Sequence, residues 1–511
     1  MAFGLSGVSY ASVEASCAPL VEGHFGALPA EQTGTATLQQ GETGCHAVRL
    51  TAGGHFIQVV RPTIAAASEL RDTSGAVVCT APVGYLWQCE VPATGDYTIE
   101  VRNPRSTPLT YQVAAIAQDP ASCARAGTAW NAPSTEVATT AVEVHCSLFT
   151  GRPGERILAF TQSGRVIVRD AAGAQICDLP APCTLSGRAP YRAMAAAQPG
   201  SATAEVQVRS VTPARGCPVV GPGRFGSVSD RLDGNRCRTL IVPAAGTSLL
   251  HARSDTNNAR NLTVLDAAGE PVCDPLAETC DFAAPGRYTV IADGQNGIIA
   301  RGSYATTFIP LQGAGCRPTT AQGAHAAERG VFRAVGQVDC YQFSVPAGTR
   351  TQILLPPSTG IPGHPQTQVF DANGTLVCTD TVCDLAGQSP YRLLLTAPPD
   401  MPTGKYAIGV QREDQIRGCR PWKQDLTVTF DEDHVFACFT FTPTSSIDVF
   451  MQATTASGIM HARVYGRGGL LCAEDRYPDF TCDTPAGEPA TLLMLADPWG
   501  SVYRVTRIDR Q

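Results

Sequence analysis

Apolar residues along this chain occur in short runs, and Gly and Pro interrupt them. The segments "GDYTIEV", "GRYTVIA" and "PYRLLL" alternate apolar and polar positions or stay apolar throughout, which is typical of strands with one or both faces covered. The segments "CYQFSVPAGTRTQILL" and "CRTLIVPAAGTSLLHA" indicate a strand, a Pro/Gly turn and a second strand. With 49 Gly and 38 Pro in 511 residues, long helices have little room. The pattern therefore predicts an all-β protein.

This strand pattern recurs five times, and cysteines mark each recurrence. The 20 cysteines form five successive sets of four, with first members about 100 residues apart, which is the size of a small domain. We therefore predict five tandem β-sandwiches of jelly-roll or immunoglobulin-like type, each with two disulfides, of which the fifth is the most diverged. The predicted domains span residues 1–119, 120–213, 214–312, 313–416 and 417–511.

An Asp-x-x-Gly stretch and a tyrosine recur at fixed distances from the cysteines. In four repeats an Asp lies seven residues before the third cysteine and a Gly four residues before it, while the fifth repeat has Tyr465 and Gly468. The Asp side chain can bond the turn backbone and Gly tolerates a positive φ, so this spacing predicts a tight hairpin. A Tyr eight residues after the fourth cysteine predicts the closing strand, and the fifth repeat has Ala490 there. The recurring residues are Asp72, Gly75 and Tyr97; Asp170, Gly173 and Tyr191; Asp266, Gly269 and Tyr288; Asp371, Gly374 and Tyr391.

We expect the cysteines to form disulfides. The chain contains no CxxC pair, which argues against a zinc site. No His recurs at a fixed offset from a cysteine, which argues against catalytic cysteines. Four cysteines allow three connectivities; we expect first with second and third with fourth, because the last gap is short, and we expect the latter bond to clasp neighbouring strands. Disulfides persist in oxidising compartments, which predicts an extracellular or cell-surface location. The expected pairs are Cys17–Cys45, Cys79–Cys89, Cys123–Cys146, Cys177–Cys183, Cys217–Cys237, Cys273–Cys280, Cys316–Cys340, Cys378–Cys383, Cys419–Cys438 and Cys472–Cys482.

The fourth repeat resembles the bacterial pre-peptidase C-terminal domain. That family has a D-x-Y-x-F-x-V-x-A-G strand pair, an Asp/Asn-Gly hairpin and a closing G-x-Y strand, and "VGQVDCYQFSVPAGTRTQILL", "QVFDANGTLVC" and "SPYRLLL" follow this order. The paired cysteines are not part of the family's usual pattern. The resemblance implies a small β-sandwich in secreted bacterial proteins, often appended to peptidases and sometimes similar to collagen- or polysaccharide-binding modules. The matching residues are Asp339, Tyr341, Phe343, Val345, Ala347, Gly348, Asp371, Gly374 and Tyr391.

Charge and motifs argue against several function classes. The formal net charge is −7 and there is no basic block, so we expect neither nucleic acid nor an anionic membrane surface as a partner. The chain has no apolar run of about 18 residues, so we predict no membrane insertion. The chain has no G-x-S-x-G, H-E-x-x-H or P-loop, so we predict no enzyme and no cofactor; an enzyme would need a specialised site in one repeat. Residues 1–16 are not a complete signal peptide, and we expect one to be absent or removed.

Some weaker candidates have a simpler interpretation. Asp431, Glu432 and Asp433 could bind calcium with His434 nearby, but a solvated hairpin turn between "LTVTF" and "FACFTF" explains them more simply. The Asp-x-x-Gly turns could also bind calcium, yet they lack a D-x-[DN]-x-[DN]-G loop. We therefore expect turns at both places and keep calcium as an alternative.

Aromatic and histidine side chains give no recurring pattern. Tryptophans could stack on sugar rings, but they fall at non-equivalent positions and sandwich cores often bury a Trp. His46 and His145 each adjoin a second-position cysteine in their repeats, and we expect both on the surface. The four tryptophans are Trp87, Trp130, Trp422 and Trp499.

Two non-enzymatic functions fit these expectations. The first is an adhesive array or stalk whose tandem domains bind an extracellular polysaccharide or protein, where multivalency raises weak single-domain affinity. The second is a scaffold that binds a protein partner or itself, with filaments formed through edge or end contacts.

Overall fold

The computed structural model describes most of the chain from Cys17 to Arg510. One compact unit contains the first two repeats and segment 267–269, and a second contains the rest of repeats three to five. The described residues are 17–60, 68–81, 86–133, 135–138, 142–161, 166–179, 183–196, 203–227, 230–233, 236–254, 259–274, 278–292, 303–320, 327–355, 365–398, 402–423, 425–430, 436–453, 459–474, 479–497 and 502–510.

Each repeat is a sandwich of two sheets, and the described residues contain no α-helix, which confirms the predicted fold class. The first strand of every repeat pairs in parallel with the strand that carries the second cysteine. The other pairings are antiparallel, as short connections require. We call the sheet that contains the strand with the second cysteine the first sheet of a repeat.

The described residues of repeats one and two form eighteen strands. The first sheets have the orders β1-β3-β8-β5-β6 and β10-β12-β17-β14-β15, and the second sheets β2-β9-β4-β7 and β11-β18-β13-β16. Repeat one has β1 Ala18–Leu20, β2 Gly34–Leu38, β3 Thr43–Leu50, β4 Gly53–Val60, β5 Ser68–Asp72, β6 Val77–Ala81, β7 Gln88–Val91, β8 Gly95–Arg102 and β9 Leu109–Ala117. Repeat two has β10 Ala124–Arg125, β11 Thr135–Ala138, β12 Val144–Phe149, β13 Arg156–Thr161, β14 Val166–Arg169, β15 Gln175–Leu179, β16 Cys183–Thr184, β17 Tyr191–Ala196 and β18 Thr203–Ser210. Short 3-10 helices span Ala30–Gln32 and Pro120–Ser122.

The unit of repeats three to five continues the same plan. Its first sheets have the orders β19-β21-β26-β24, β28-β30-β35-β32-β33 and β37-β39-β44-β41-β42, and its second sheets β20-β27-β22-β23 with β25 on β22, β29-β36-β31-β34 and β38-β45-β40-β43. Repeat three has β19 Val219–Val220, β20 Asp230–Asp233, β21 Cys237–Val242, β22 Gly246–Ser254, β23 Ala259–Arg260, β24 Leu262–Leu265, β25 Thr279–Phe282, β26 Gly286–Ala292 and β27 Ser303–Pro310. Repeat four has β28 Arg317–Pro318, β29 Glu328–Phe332, β30 Val338–Phe343, β31 Arg350–Leu354, β32 Gln366–Phe370, β33 Leu376–Cys378, β34 Val382–Asp384, β35 Tyr391–Thr396 and β36 Gly404–Arg412. Repeat five has β37 Arg420–Pro421, β38 Asp425–Thr429, β39 Phe436–Phe441, β40 Ile447–Ala453, β41 Ile459–Gly466, β42 Gly469–Glu474, β43 Asp479–Cys482, β44 Ala490–Asp497 and β45 Val502–Asp509.

The apolar residues between the two sheets form the core of each sandwich. Along β8, Tyr97, Ile99 and Val101 are buried, while the alternate Asp96 and Glu100 are more exposed, as the two-residue period of a strand requires. Comparable cores fill repeats two, four and five. Each fully buried Val, Leu, Ile or Phe contributes about 1.5–3 kcal/mol, so these cores hold the sheets together.

A second kind of apolar cluster, which we call a junction, joins consecutive sandwiches within each unit. At every junction the second sheet of one repeat packs against the first sheet of the next. The junction of repeats one and two contains Phe25, Phe56, Val60, Leu86, Ala114, Ile116, Val142, Val144, Cys146, Ile167, Met194 and Ala196. That of repeats three and four contains Phe225, Leu249, Ile309, Leu311, Val338, Cys340, Phe370 and Leu394. That of repeats four and five contains Leu354, Ala407, Phe436, Cys438, Tyr465, Leu493 and Leu495.

Two disulfides stabilise each repeat, as predicted. The bonded pairs are Cys17–Cys45, Cys79–Cys89, Cys123–Cys146, Cys177–Cys183, Cys273–Cys280, Cys316–Cys340, Cys378–Cys383, Cys419–Cys438 and Cys472–Cys482. Cys217 and Cys237 are also disulfide-bonded, and since all other cysteines have partners, they bond each other.

The bond between the third and fourth cysteines differs from its expected place. Cys79 lies in β6 at the edge of the first sheet, and Cys89 lies in β7 at the edge of the second. The same is true of Cys378 and Cys383 in β33 and β34. This disulfide therefore staples the two sheets together and does not join neighbours within one sheet, because the chain crosses between sheets after the hairpin.

Candidate functional sites

The recurring Asp organises the hairpin before the third cysteine. Asp371 Oδ1 accepts hydrogen bonds from the backbone N–H groups of Asn373 and Thr375, both at 2.9 Å. Gly374 has φ +86°, which explains the need for glycine. Burial by itself raises the pKa of Asp371, but these backbone hydrogen bonds lower it below its ordinary value. Equivalent bonds form from Ala76 to Asp72, from Ala174 to Asp170 and from Glu270 to Asp266.

The fifth repeat turns one residue earlier, so its assignment from the sequence is wrong. In repeat five, Val464 pairs with Cys472, which lies eight residues later in the chain. In repeat four, Val369 pairs with Cys378, which lies nine residues later. The hairpin of repeat five is therefore one residue shorter. Tyr465 therefore takes the place of Phe370 and packs into the junction, and not the place of the turn Asp. The glycine with positive φ is Gly469, at +113°, and not Gly468.

The recurring Tyr after the fourth cysteine forms a tyrosine corner. Its ring packs in the core, and its hydroxyl donates back to a carbonyl a few residues upstream. Tyr97 donates to Ala93 O at 2.7 Å and Tyr288 to Ala284 O at 2.9 Å. The bonds of Tyr191 to Gly187 O and of Tyr391 to Leu385 O are longer, at 3.4 Å. This tyrosine fixes the entry to the closing strand and offers no free hydroxyl for chemistry.

In repeat four the Asp-x-Tyr pair of the resemblance forms a buried polar network. Asp339 is 4% exposed and accepts from Gln337 Nε2 at 2.9 Å and from the Tyr406 hydroxyl. The Tyr341 and Tyr406 oxygens are 3.3 Å apart, and the Arg317 guanidinium lies 4.4 Å from the centre of the Tyr341 ring. Burial raises the pKa of Tyr341 to about 12, so its hydroxyl stays protonated. The network satisfies a buried carboxylate and therefore stabilises the sandwich.

A further tyrosine recurs on the last strand of four repeats, and the sequence analysis missed it. In three of these repeats it lies 14 to 16 residues after the tyrosine of the corner, and in repeat five, which has no corner tyrosine, it lies 13 residues after Ala490. This variable distance hides it in an alignment on cysteines. In repeats one and four its hydroxyl bonds the residue after the second cysteine: Tyr111 bonds His46 Nε2 at 2.8 Å, and the Tyr406 and Tyr341 oxygens are 3.3 Å apart. The four residues, all at most 2% exposed, are Tyr111, Tyr304, Tyr406 and Tyr503.

The prediction that His46 and His145 lie on the surface is wrong. His46 is 2% exposed and His145 is 6% exposed, because residues beside the second cysteine point between the two sheets. Burial lowers the pKa of both imidazoles. His145 lines a cavity of about 170 Å³ together with Ser122, Ser147 and Val206.

The tryptophans do not form a shared surface. Trp130 is 5% exposed and donates from Nε1 to Ser210 O at 2.9 Å, and Trp422 lies in the core of repeat five. Trp87 is 37% exposed and is the one described tryptophan that a ligand can reach. Trp499 lies outside the described residues.

The weak calcium candidates Asp431, Glu432 and Asp433, with His434, lie outside the described residues as well. Within the described part of the chain, no group of three or more His, Cys, Asp or Glu residues could hold a metal ion. In the described turns, Asp371 Oδ1 is occupied by backbone N–H groups, which supports turn formation as its role.

The junction of repeats three and four contains a polar network beside its apolar cluster. His251 is 4% exposed, with Nε2 at 3.3 Å from Gly336 O. Burial, followed by the neighbouring Arg253 charge, lowers the pKa of His251, so the ring is neutral at pH 7. Glu278 pairs with Arg253 and accepts from Gln368 Nε2 at 3.0 Å.

The junction of repeats four and five has a cavity at its edge. It has a volume of about 260 Å³, and its lining includes Thr381 from the connection between Cys378 and Cys383. Gln352, one of its lining residues, accepts a hydrogen bond at Oε1 from the Tyr465 hydroxyl. Burial raises the pKa of Tyr465, so this donor keeps its proton. The described lining residues are Gln352, Ile353, Leu354, Leu355, Thr381, His461, Arg463 and Leu495.

Comparisons with known proteins add no function. No family model matches the chain, and no curated protein matches it in sequence. Among solved structures, Lac15 from a marine microbial metagenome is 13% identical over 74% of this chain and 93% of its own length, with a TM-score of 0.12, a value too low to support an argument. In the part of the chain that the structure describes, no helix has the length and apolar character needed to cross a membrane.

Proposed function

We propose that this chain is a non-catalytic, secreted or cell-surface protein whose tandem sandwiches form a stalk or an adhesive array. The observation that carries the proposal is the repeated junction, in which the buried side chains of one sandwich pack against the next. Such packing holds neighbouring domains at a fixed spacing, and fixed spacing lets weak binding surfaces act together on a polymer. The ten disulfides support an oxidising compartment. The resemblance to pre-peptidase C-terminal domains supports the same proposal.

A co-sedimentation assay tests the binding role directly. The intact, oxidised protein is mixed with insoluble cell wall, chitin, cellulose or collagen, with and without a chelator, and the pellet is compared with a polymer-free control. Retention on one polymer is expected, because a tandem array binds repeated ligands with high avidity. Loss of retention with chelator that added calcium restores would identify calcium as a partner. No retention on any of the four polymers would refute the adhesive array.

A scaffold that binds itself is the alternative, and one surface favours it. Phe450 is 42% exposed and Ile508 is 47% exposed on the second sheet of repeat five. In repeats three and four the same sheet position is taken by His251 and Leu354, which are 4% and 2% exposed because the next sandwich covers them. Sedimentation velocity over a hundredfold concentration range tests self-association. Scaffolding by this face predicts a larger species that the double change Phe450→Ser and Ile508→Ser abolishes.

A further inference from the structure

Equivalent positions at successive junctions carry different charges. The residue two positions before the fourth cysteine accepts a backbone hydrogen bond from a strand of the second sheet in both repeats. In repeat three, Glu278 O accepts from Leu250 N at 2.9 Å, and in repeat four, Thr381 O accepts from Ile353 N at 2.7 Å. Glu278 and Thr381 are therefore equivalent. At the junction of repeats three and four, the Glu278 carboxylate accepts from Gln368 of the next sandwich.

The partner of that carboxylate also has an equivalent. In repeat four, Gln368 pairs across the sheet with Leu394, which pairs on its other side with the second cysteine, Cys340. In repeat five, Arg463 pairs with Leu493, which pairs in the same way with the second cysteine, Cys438. Arg463 therefore occupies in repeat five the position of Gln368 in repeat four. Between consecutive junctions the acceptor changes from Glu to Thr, while the donor changes from a neutral amide to a guanidinium. The later junction has gained a cation and lost a carboxylate at the same place.

The cavity of about 260 Å³ lies where this exchange occurs. Arg463, His461 and Thr381 line it, and none of the described lining residues is acidic. Arg463 has another interaction within the protein, but a guanidinium has five N–H donors and can bind more than one acceptor. Apart from Gln352, the remaining described wall is apolar and includes Leu355 and Leu495.

We propose that this cavity binds a small organic carboxylate, which takes the place that the Glu278 side chain fills at the preceding junction. The carboxylate accepts from the Arg463 guanidinium, with the Thr381 hydroxyl as a second donor, and the carbon skeleton packs on the leucines. A planar, two-oxygen acceptor fits the paired donors of Arg better than a halide or a neutral group does. This binding does not depend on the role of the chain as a stalk, array or scaffold.

Titration calorimetry of the full oxidised chain tests the proposal. The probes are D-galacturonate and L-glutamate, with D-galactose and L-glutamine as uncharged counterparts at matched ionic strength. We expect saturable binding of at least one carboxylate and none of its uncharged counterpart. A sugar acid and an amino acid share the carboxylate, so the tighter of the two identifies the ligand type.

Three variants locate the binding. Arg463→Gln introduces the residue of the preceding repeat and is expected to weaken binding roughly tenfold or more, the effect of losing a charge-assisted bond. Thr381→Glu introduces the carboxylate of repeat three and is expected to abolish binding by filling the site from within. Arg49→Gln, which removes an exposed arginine in repeat one, is the matched control and is expected to change nothing.

Two results would overturn the proposal. One is the absence of heat and of any thermal shift with both carboxylates at about 10 mM, a concentration far above typical ligand affinities. The other is carboxylate binding that Arg463→Gln leaves unchanged. Because glutamate is tolerated at the equivalent position in repeat three, a folded Thr381→Glu variant is expected, and its unfolding temperature checks this. If that variant fails to fold, the Arg463→Gln comparison still decides.

Discussion

The contribution of a junction to stability can be measured with one matched pair of changes. Leu354 of repeat four and Phe450 of repeat five occupy equivalent positions. Each lies three residues after the residue that pairs with the fourth cysteine, which is Thr351 in repeat four and Ile447 in repeat five. Leu354 is 2% exposed because repeat five packs on it, whereas Phe450 is 42% exposed. Leu354→Ala and Phe450→Ala therefore make similar changes at one position, with and without a covering sandwich.

The expected costs differ several-fold. Truncating a buried Leu to Ala costs about 2–5 kcal/mol, through lost burial and the cavity that remains. Leu354 already borders the cavity of about 260 Å³ and makes fewer contacts on that side, so we expect the lower end, about 2–3 kcal/mol. The half-exposed Phe450 loses little contact, and we expect about 0.5 kcal/mol, as for most surface changes.

Calorimetry under oxidising conditions measures both changes in the full chain. If repeats four and five unfold together as one unit of about 200 residues, a loss of 2–3 kcal/mol corresponds to a fall of roughly 4–12 °C in their unfolding temperature. Hydrogen exchange of amides in β31 and β39 shows whether the loss is located at the junction. Equal costs for Leu354→Ala and Phe450→Ala would refute the junction as a source of stability, and so would unchanged exchange in β39.

Three further changes test other parts of the structure. Replacing Cys79 and Cys89 by Ser should destabilise repeat one by about 2.7 kcal/mol in the chain-entropy model, seen as a lower urea midpoint, whereas an unchanged midpoint would contradict the role of the staple. Tyr97→Phe should cost about 1 kcal/mol in the same assay, more than Tyr191→Phe, whose hydrogen bond is longer. The lowered pKa of His251 means that only the unfolded chain binds its proton just below pH 6.5. Stability should therefore fall as the pH drops from 6.5, and His251→Gln should remove this component of the profile; an identical profile would count against it.

Local spacing in the sequence was enough to predict the turn, the pairing partners of the cysteines and the closing strand. Asp371 and Gly374 act within five residues of each other, so their hydrogen bonds and φ angles follow from local chemistry. The wrong assignment in repeat five also comes from reliance on local spacing. The hairpin there is one residue shorter, so counting back from Cys472 assigns Tyr465 to the position of the turn Asp. The strand register assigns Tyr465 to the last strand position before the turn, which Phe370 takes in repeat four.

The continuous apolar runs indicated strands covered on both faces without showing what covers them. All six residues of β17 are buried, yet the inner face packs in its own sandwich and the outer face against the preceding one. A two-residue period separates the two faces of a strand but does not identify the neighbour of either face.

The sequence by itself determined the number of repeats, their all-β class and the chemistry of each hairpin, because these depend on residues close together in the chain. Only the tertiary structure decided that the third and fourth cysteines link two sheets, that His46 and His145 are buried, and that sandwiches pack through repeated junctions. It alone also brought Thr381 and Arg463, from different repeats, to one cavity. These features depend on which strand faces which, and that is set by packing between segments far apart in sequence.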